Sequence, residues 1–123
     1  NPWMSSIRSV LSDHIVLPTP KPGAPGPFRY QNAEAFGSVL TQAGFSEVQS
    51  VSWKSQLSLG GGMDAPAAAD FALSAFSIGR ELNKSDQITA QAARADLVSL
   101  FVANESDGHV QMDAHVHIVS GTR

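Results

Sequence analysis

The sequence predicts an α/β fold: an antiparallel strand pair over about 47–59 and 109–120, covered by about four helices in a single domain spanning 1–123. Three observations carry that expectation. Two segments alternate apolar and polar residues with period two, the signature of half-buried strands. The stretches around them repeat apolar residues at helical spacing instead. Apolar residues make up 42% of the chain and charged residues 15%, enough for one core and too little charge for disorder.

Each element has its own local cause. Residues 3–15 place Met4, Ile7, Leu11 and Ile15 on one helical face, opposite Ser5, Ser6, Ser9, Ser12 and Asp13. Pro2 stands near the start, where its missing N–H does no harm. The helix must end before Pro18, and the following PTPKPGAPGP at 18–27 reads as a semi-rigid surface loop. A second helix lies within Tyr30–Phe45: Asn32 caps it, Glu34 complements its dipole, and Phe36, Val39, Leu40 and Ala43 form its buried stripe. Gly44 stops it in the left-handed region and Phe45 folds back.

In the first strand Val51, Trp53, Leu57 and Leu59 share one face and Ser52, Lys54, Gln56 and Ser58 the other. Gly60-Gly61-Gly62 breaks it. Asp64 and Pro66 open a helix to about Ile78 that buries Phe71, Ala72, Ala75 and Phe76. Ser85 caps another to about Val102, with Ile88, Ala92, Ala95 and Val98 inward. Asp107-Gly108 is a turn, and Val110, Met112, Ala114, Val116 and Ile118 then line one face of the closing strand.

Composition excludes several functions. A formal charge of −3 without a Lys/Arg cluster is not the footprint of a nucleic-acid binder. With no cysteine there is no disulfide scaffold, thiol nucleophile or thiolate metal site. No apolar run is long enough to span a bilayer, and no signal-peptide pattern opens the chain, so a cytoplasmic location is expected. Two strands alone make a marginal sheet with long bare edges, so a partner is expected to complete it. Asn1 is not an initiator methionine and the apolar pattern already runs at Trp3 and Met4, so a preceding part is expected.

Five blocks in order carry a resemblance: Asn1-Pro2-Trp3-Met4; Pro22-Gly23-Ala24-Pro25-Gly26-Pro27-Phe28; Leu40-Thr41-Gln42-Ala43-Gly44-Phe45-Ser46-Glu47-Val48; Gly60-Gly61-Gly62; and Val116-His117-Ile118-Val119-Ser120-Gly121. Together they resemble the C-terminal half of a class I S-adenosylmethionine-dependent methyltransferase, similar to the ubiquinone/menaquinone-biosynthesis C-methyltransferases. The resemblance covers nearly the whole chain and implies the C-terminal part of a Rossmann-like methyltransferase fold. In that family the AGF step joins a helix to the sixth strand, and the seventh returns antiparallel between strands five and six. The proline-rich loop and the GGG-led helices form a lid over the methyl acceptor. Trp3 and Phe28 would line the acceptor site by the same analogy, although isolated aromatics are more often core. The family's glycine-rich cofactor turn and the acidic residue ending its second strand have no counterpart here. S-adenosylmethionine therefore belongs to the full-length family, and no cofactor-binding residue is assigned to this chain.

Other constellations have blander readings. His115 and His117 share a strand face with Asp113 and His109, a spacing that can hold Zn²⁺ given a third ligand; a polar strand face is the simpler account, and no metal is assigned. Gly60–Gly62 before a helix resembles an anion nest, but no Lys-Ser/Thr follows, which favours a tight turn or hinge. Asp13-His14 has no serine that the sequence connects to it, and the P-x-P spacings need no partner inside a folded lid. No general base is identified. Two functions remain: the acceptor-binding and lid portion of a methyltransferase, inactive without its N-terminal half, or a non-catalytic module that forms a homodimer through its open strand edge at 109–120.

Overall fold

The computed structural model describes residues 1–19, 21, 23–26 and 29–123. The order is α1 (Pro2–Ser12), α2 (Ala33–Gln42), β1 (Ser46–Ser58), a 3₁₀ turn (Leu59–Gly61), α3 (Ala65–Ala75), α4 (Ser77–Leu82), α5 (Gln87–Val102), β2 (Glu105–Ser106) and β3 (His109–Thr122). The fold is therefore mixed α/β, as expected, with one three-stranded sheet in the order β1-β3-β2. By compactness the chain divides into a first unit, Asn1–Pro18 with Ser55–Ala114, and a second, Thr19–Lys54 with His115–Arg123.

The first unit owns the core. Ile7 and Leu11 of α1, a run of alanines on α3 (Ala65, Ala68, Ala69, Ala72) and Ala93, Leu97 and Phe101 of α5 are all buried, with Leu59, Val110 and Met112. Small residues on α3 let its backbone approach α5 closely, and a bidentate pair between Arg94 and Asp70, at 2.6 and 2.8 Å, ties the two at the surface. His14, just past α1, reaches Asp96 of α5 at 2.8 Å. Three consecutive glycines with φ of 64°, 81° and 100° make the turn after β1, a run that side chains with a Cβ would resist. The turn is clasped to the start of β3: His109 Nδ1 lies 2.6 Å from the Gly62 carbonyl, and the Val110 N–H donates to Met63.

In the second unit Asn32 caps α2 through two backbone N–H groups, and the helix closes as predicted, the Phe45 N–H reaching the Leu40 carbonyl around a left-handed Gly44. Val48 of β1 sits between Gly37 of α2 and Gly121 of β3; a Cβ on either glycine would lie 3.3 Å from it. Ser46 donates to the Thr122 carbonyl and Ser52 meets His115, while in the first unit Gln111 donates to Ser58. The partner thus falls along β3 as β1 advances, which makes the pair antiparallel.

Several expectations need correction. The sheet has three strands, because Asp107 and Gly108, both with positive φ, turn a hairpin that pairs Ser106 with His109 and Glu105 with Val110. Among the described residues there are five α-helices: the helix begun at Asp64 breaks at Phe76, whose extended backbone separates α3 from α4. No proline marks that break; it turns the Phe76 ring toward Trp3, which local sequence does not report. α1 stops at Ser12, so Ile15 lies beyond it. Asp86, not Ser85, caps α5, accepting from the Thr89 N–H, while the Ser85 hydroxyl donates to Leu82 at the end of α4. The buried stripe of α5 is Ala93, Leu97 and Phe101; Ile88 is 81% exposed. This helix is apolar on several sides, and packing chose the face carrying the larger residues. Of α3's expected core, Ala72 alone is buried, with Phe71 and Phe76 half-buried and Ala75 exposed. None of Phe36, Val39, Leu40 and Ala43 in the second unit is fully buried. Among the described residues no helix is long and apolar enough to cross a membrane.

Candidate functional site

α1 begins at Pro2, which is pre-set for a helix's first turn, and its first two turns carry Trp3, Met4, Ile7 and Arg8 at helical spacing. Facing them is the break between α3 and α4. There Phe76 adopts φ −101° and ψ 149°, so its side chain leaves the α3 stripe. Its ring meets Trp3 at 5.3 Å between centroids, tilted by 49°, and Phe71 edge-on at 5.9 Å. Both are favourable aromatic geometries. Between α1 and the break lies a groove of about 90 Å³, closed on the far side by Phe76, Ser77 and Ile78.

The chemistry of that groove is narrow. Its walls are aromatic and aliphatic, Arg8 is its charged group and Ser77 its hydroxyl. An arginine stays protonated and cannot serve as a base. Arg8 also donates through one Nη to the Pro18 carbonyl, which fixes the guanidinium beside the groove. The groove is thus suited to holding a flat apolar group with a negative charge at its rim.

Of the two residues expected to line an acceptor site, Trp3 forms this groove, and Phe28 lies outside the described residues. Pro20, Pro22 and Pro27 of the proline-rich segment lie outside them as well. Sequence reasoning treated Phe76 as a helix core residue and passed over Arg8. The legible signal was Met4 and Arg8 one turn apart on α1, a mixed pair that a purely buried face would not carry.

The histidine pair behaves differently. His115 and His117 meet edge-to-face at 4.8 Å, and His115 Nε2 lies 2.6 Å from the Ser52 hydroxyl. One of its two ring nitrogens is therefore in a hydrogen bond. Desolvation, followed by the positive charges of Lys54 and His117, pushes the His115 imidazole below its ordinary value, favouring the neutral ring. His109 belongs to the first unit, bonded to Gly62. Among the described residues no three His, Cys, Asp or Glu side chains gather as a metal site. His14 pairs with Asp96. Gly60–Gly62 form the turn that leads to α3, whose first N–H groups are engaged: Ala65 donates to Glu105 and Ala67 to Asp64. Those two carboxylates occupy the helix start where an anion would bind.

The second unit also presents a bare apolar face. Period two puts Val51 and Trp53 of β1 on the same side as Val116 and Ile118 of β3, since Ser52 and His115 share the other side. These four residues are 61%, 42%, 37% and 56% exposed. Among the described residues the second edge of β3 pairs with β2 at His109 and Val110, and the Gln111 N–H donates to the Asn104 carbonyl. No known protein family, curated protein or solved structure matches this chain.

Proposed function

We propose that this chain is the acceptor-binding and lid portion of an S-adenosylmethionine-dependent methyltransferase, working in the cytoplasm and joined there to an N-terminal half that holds the cofactor. The observation that carries the reading is the unfinished sheet: β3 has a long second edge, and the Val51, Trp53, Val116, Ile118 face is uncovered. A Rossmann-like sheet has neighbours at that edge and helices on both faces, so an N-terminal half would supply both. The Trp3–Phe76 groove then serves as the acceptor site, where catalysis is mainly positioning the acceptor against the sulfonium methyl. Phe28 belongs to the same reading by resemblance.

The test joins the chain to the cofactor-binding half of a menaquinone-type C-methyltransferase and follows labelled methyl transfer. Transfer is expected from the joined protein, and calorimetry on the chain alone is expected to show no S-adenosylmethionine binding. Micromolar binding by the chain alone would overturn the division of labour. A second reading draws on the same edge: a non-catalytic homodimer paired antiparallel through 109–120, giving a longer continuous sheet. Sedimentation separates the two, because a monomer at high dilution removes the homodimer.

A further inference from the structure

We propose that the Trp3–Phe76 groove binds a single-ring aromatic carboxylate, with the ring against the two aromatic side chains and the carboxylate on Arg8. The inference names the ligand class of the acceptor site and rests on the methyltransferase reading only for calling that ligand an acceptor.

Size comes first. A groove of about 90 Å³ is far below the roughly 300–1,000 Å³ of sites for drug-sized molecules. It is nearer the ~150 Å³ cavity that accepts benzene, and being open it lets substituents protrude. That scale matches one ring seated against the walls better than a large ligand enclosed by them.

Shape and charge follow. Trp3 and Phe76 stand 5.3 Å apart at a tilt of 49°, so a third ring entering beside them meets one face and one edge, the arrangement aromatic quadrupoles favour. Ile7 and Ile78 supply aliphatic walls. Among the described residues Arg8 supplies the only charge on the lining, and one of its Nη groups is committed to the Pro18 carbonyl. A guanidinium has five N–H donors, so others remain for the two oxygens of a carboxylate. A neutral ring would gain the aromatic contacts and lose the charge-assisted pair. Among the described residues no acidic side chain lines this groove, and Asp13 shares with Arg8 the adjoining recess at the end of α1.

The test uses the full chain in a Trp53→Phe background, which leaves Trp3 as the only tryptophan. Benzoate is expected to quench Trp3 fluorescence saturably, and benzamide, the neutral isostere, to bind about tenfold more weakly. Arg8→Gln is expected to erase that difference while leaving benzamide affinity unchanged, and Arg8→Lys to restore part of it. Broadening of the benzoate ring protons by the unmodified chain checks the result without any substitution. Equal affinities for benzoate and benzamide, or no saturable binding of either, overturn the proposal. Methyl transfer by the joined protein to uncharged acceptors alone would overturn the carboxylate assignment and leave the methyltransferase reading standing. Benzoate binding without any methyl transfer would do the reverse.

Discussion

The two units share the long strands β1 and β3, yet bury them very differently. In the first unit Val110, Met112 and Ala114 of β3 are covered, and every fully buried hydrophobic residue among the described residues lies there. In the second unit Val116 and Ile118 continue the same alternation on the same strand and stay exposed. Apolar patterning sets which face of a strand seeks cover; it does not supply the cover. α5, α3 and α1 supply it in the first unit. The second unit has α2, whose contact with the strands runs through Val48, on the side away from Val51 and Trp53. One unit carries its own stability, and the other carries a surface.

The largest effects should therefore come from the first unit. Phe101 is wholly buried on α5 and its truncation leaves a large hole, so Phe101→Ala is expected to cost about 3–5 kcal/mol of unfolding free energy. Gly79→Ala tests the α3–α4 break: a Cβ there would lie 1.7 Å from the Leu73 carbonyl oxygen, so α4 must move. A loss of about 1–3 kcal/mol is expected, because the added methyl must displace the backbone it meets. Denaturant unfolding reads both. If either variant keeps the parent midpoint, the claim that this unit holds the core is broken.

Capping is next in size and probes both units alike. Asp64→Ala removes the acceptor for the Ala67 N–H at the start of α3, and Asn32→Ala removes the acceptor for two N–H groups of α2. Each is expected to cost about 1 kcal/mol where its helix unfolds with the rest. The comparison sharpens in how that cost is read. Hydrogen exchange should show the α3 change only on global unfolding, and the α2 change as faster local opening of residues 33–42. On the bare face, Trp53→Ser is expected to shift the stability of the isolated chain by less than about 0.5 kcal/mol. The same variant is expected to weaken association with whatever completes the sheet. Sedimentation or joined-protein activity reads that loss, and an unaffected assembly would show that this face is not the contact.

These differences also explain what was readable beforehand. Elements with a local cause were found close to their true limits: the Asn32 cap, the Gly44 stop, the Asp64–Pro66 helix start and the extents of both long strands, although the half-buried alternation expected of β1 is absent, Val48 alone escaping full exposure there. Features decided by distant residues were not. The break at Phe76 exists for its contact with Trp3, more than seventy positions away in the chain. The buried face of α5 was chosen by α1 and α3, because several faces offered apolar residues. β2 has only two residues, too short for any period, though the Asp107-Gly108 dipeptide beside it is a strong hairpin signal. Of the candidate site, Trp3 was legible through resemblance. Arg8 and Phe76 became visible only when the α3–α4 break faced α1.

The smallest predicted effect lies on the polar side of the second unit, at His115. Its imidazole is held below the ordinary 6.5 by desolvation first, then by Lys54 and His117. Between that lowered midpoint and 6.5 the unfolded chain binds more protons than the folded one, so stability should rise with pH across this window. Above 6.5 the ring is neutral in both states and the dependence should vanish. Lys54→Gln removes the largest of the charge contributions, so the His115 midpoint should move upward while staying below 6.5, because desolvation remains. An NMR titration of the ring protons reads this directly. A midpoint at or above 6.5 in the parent chain would mean that the ring is not desolvated on this face, the first cause of its lowered value.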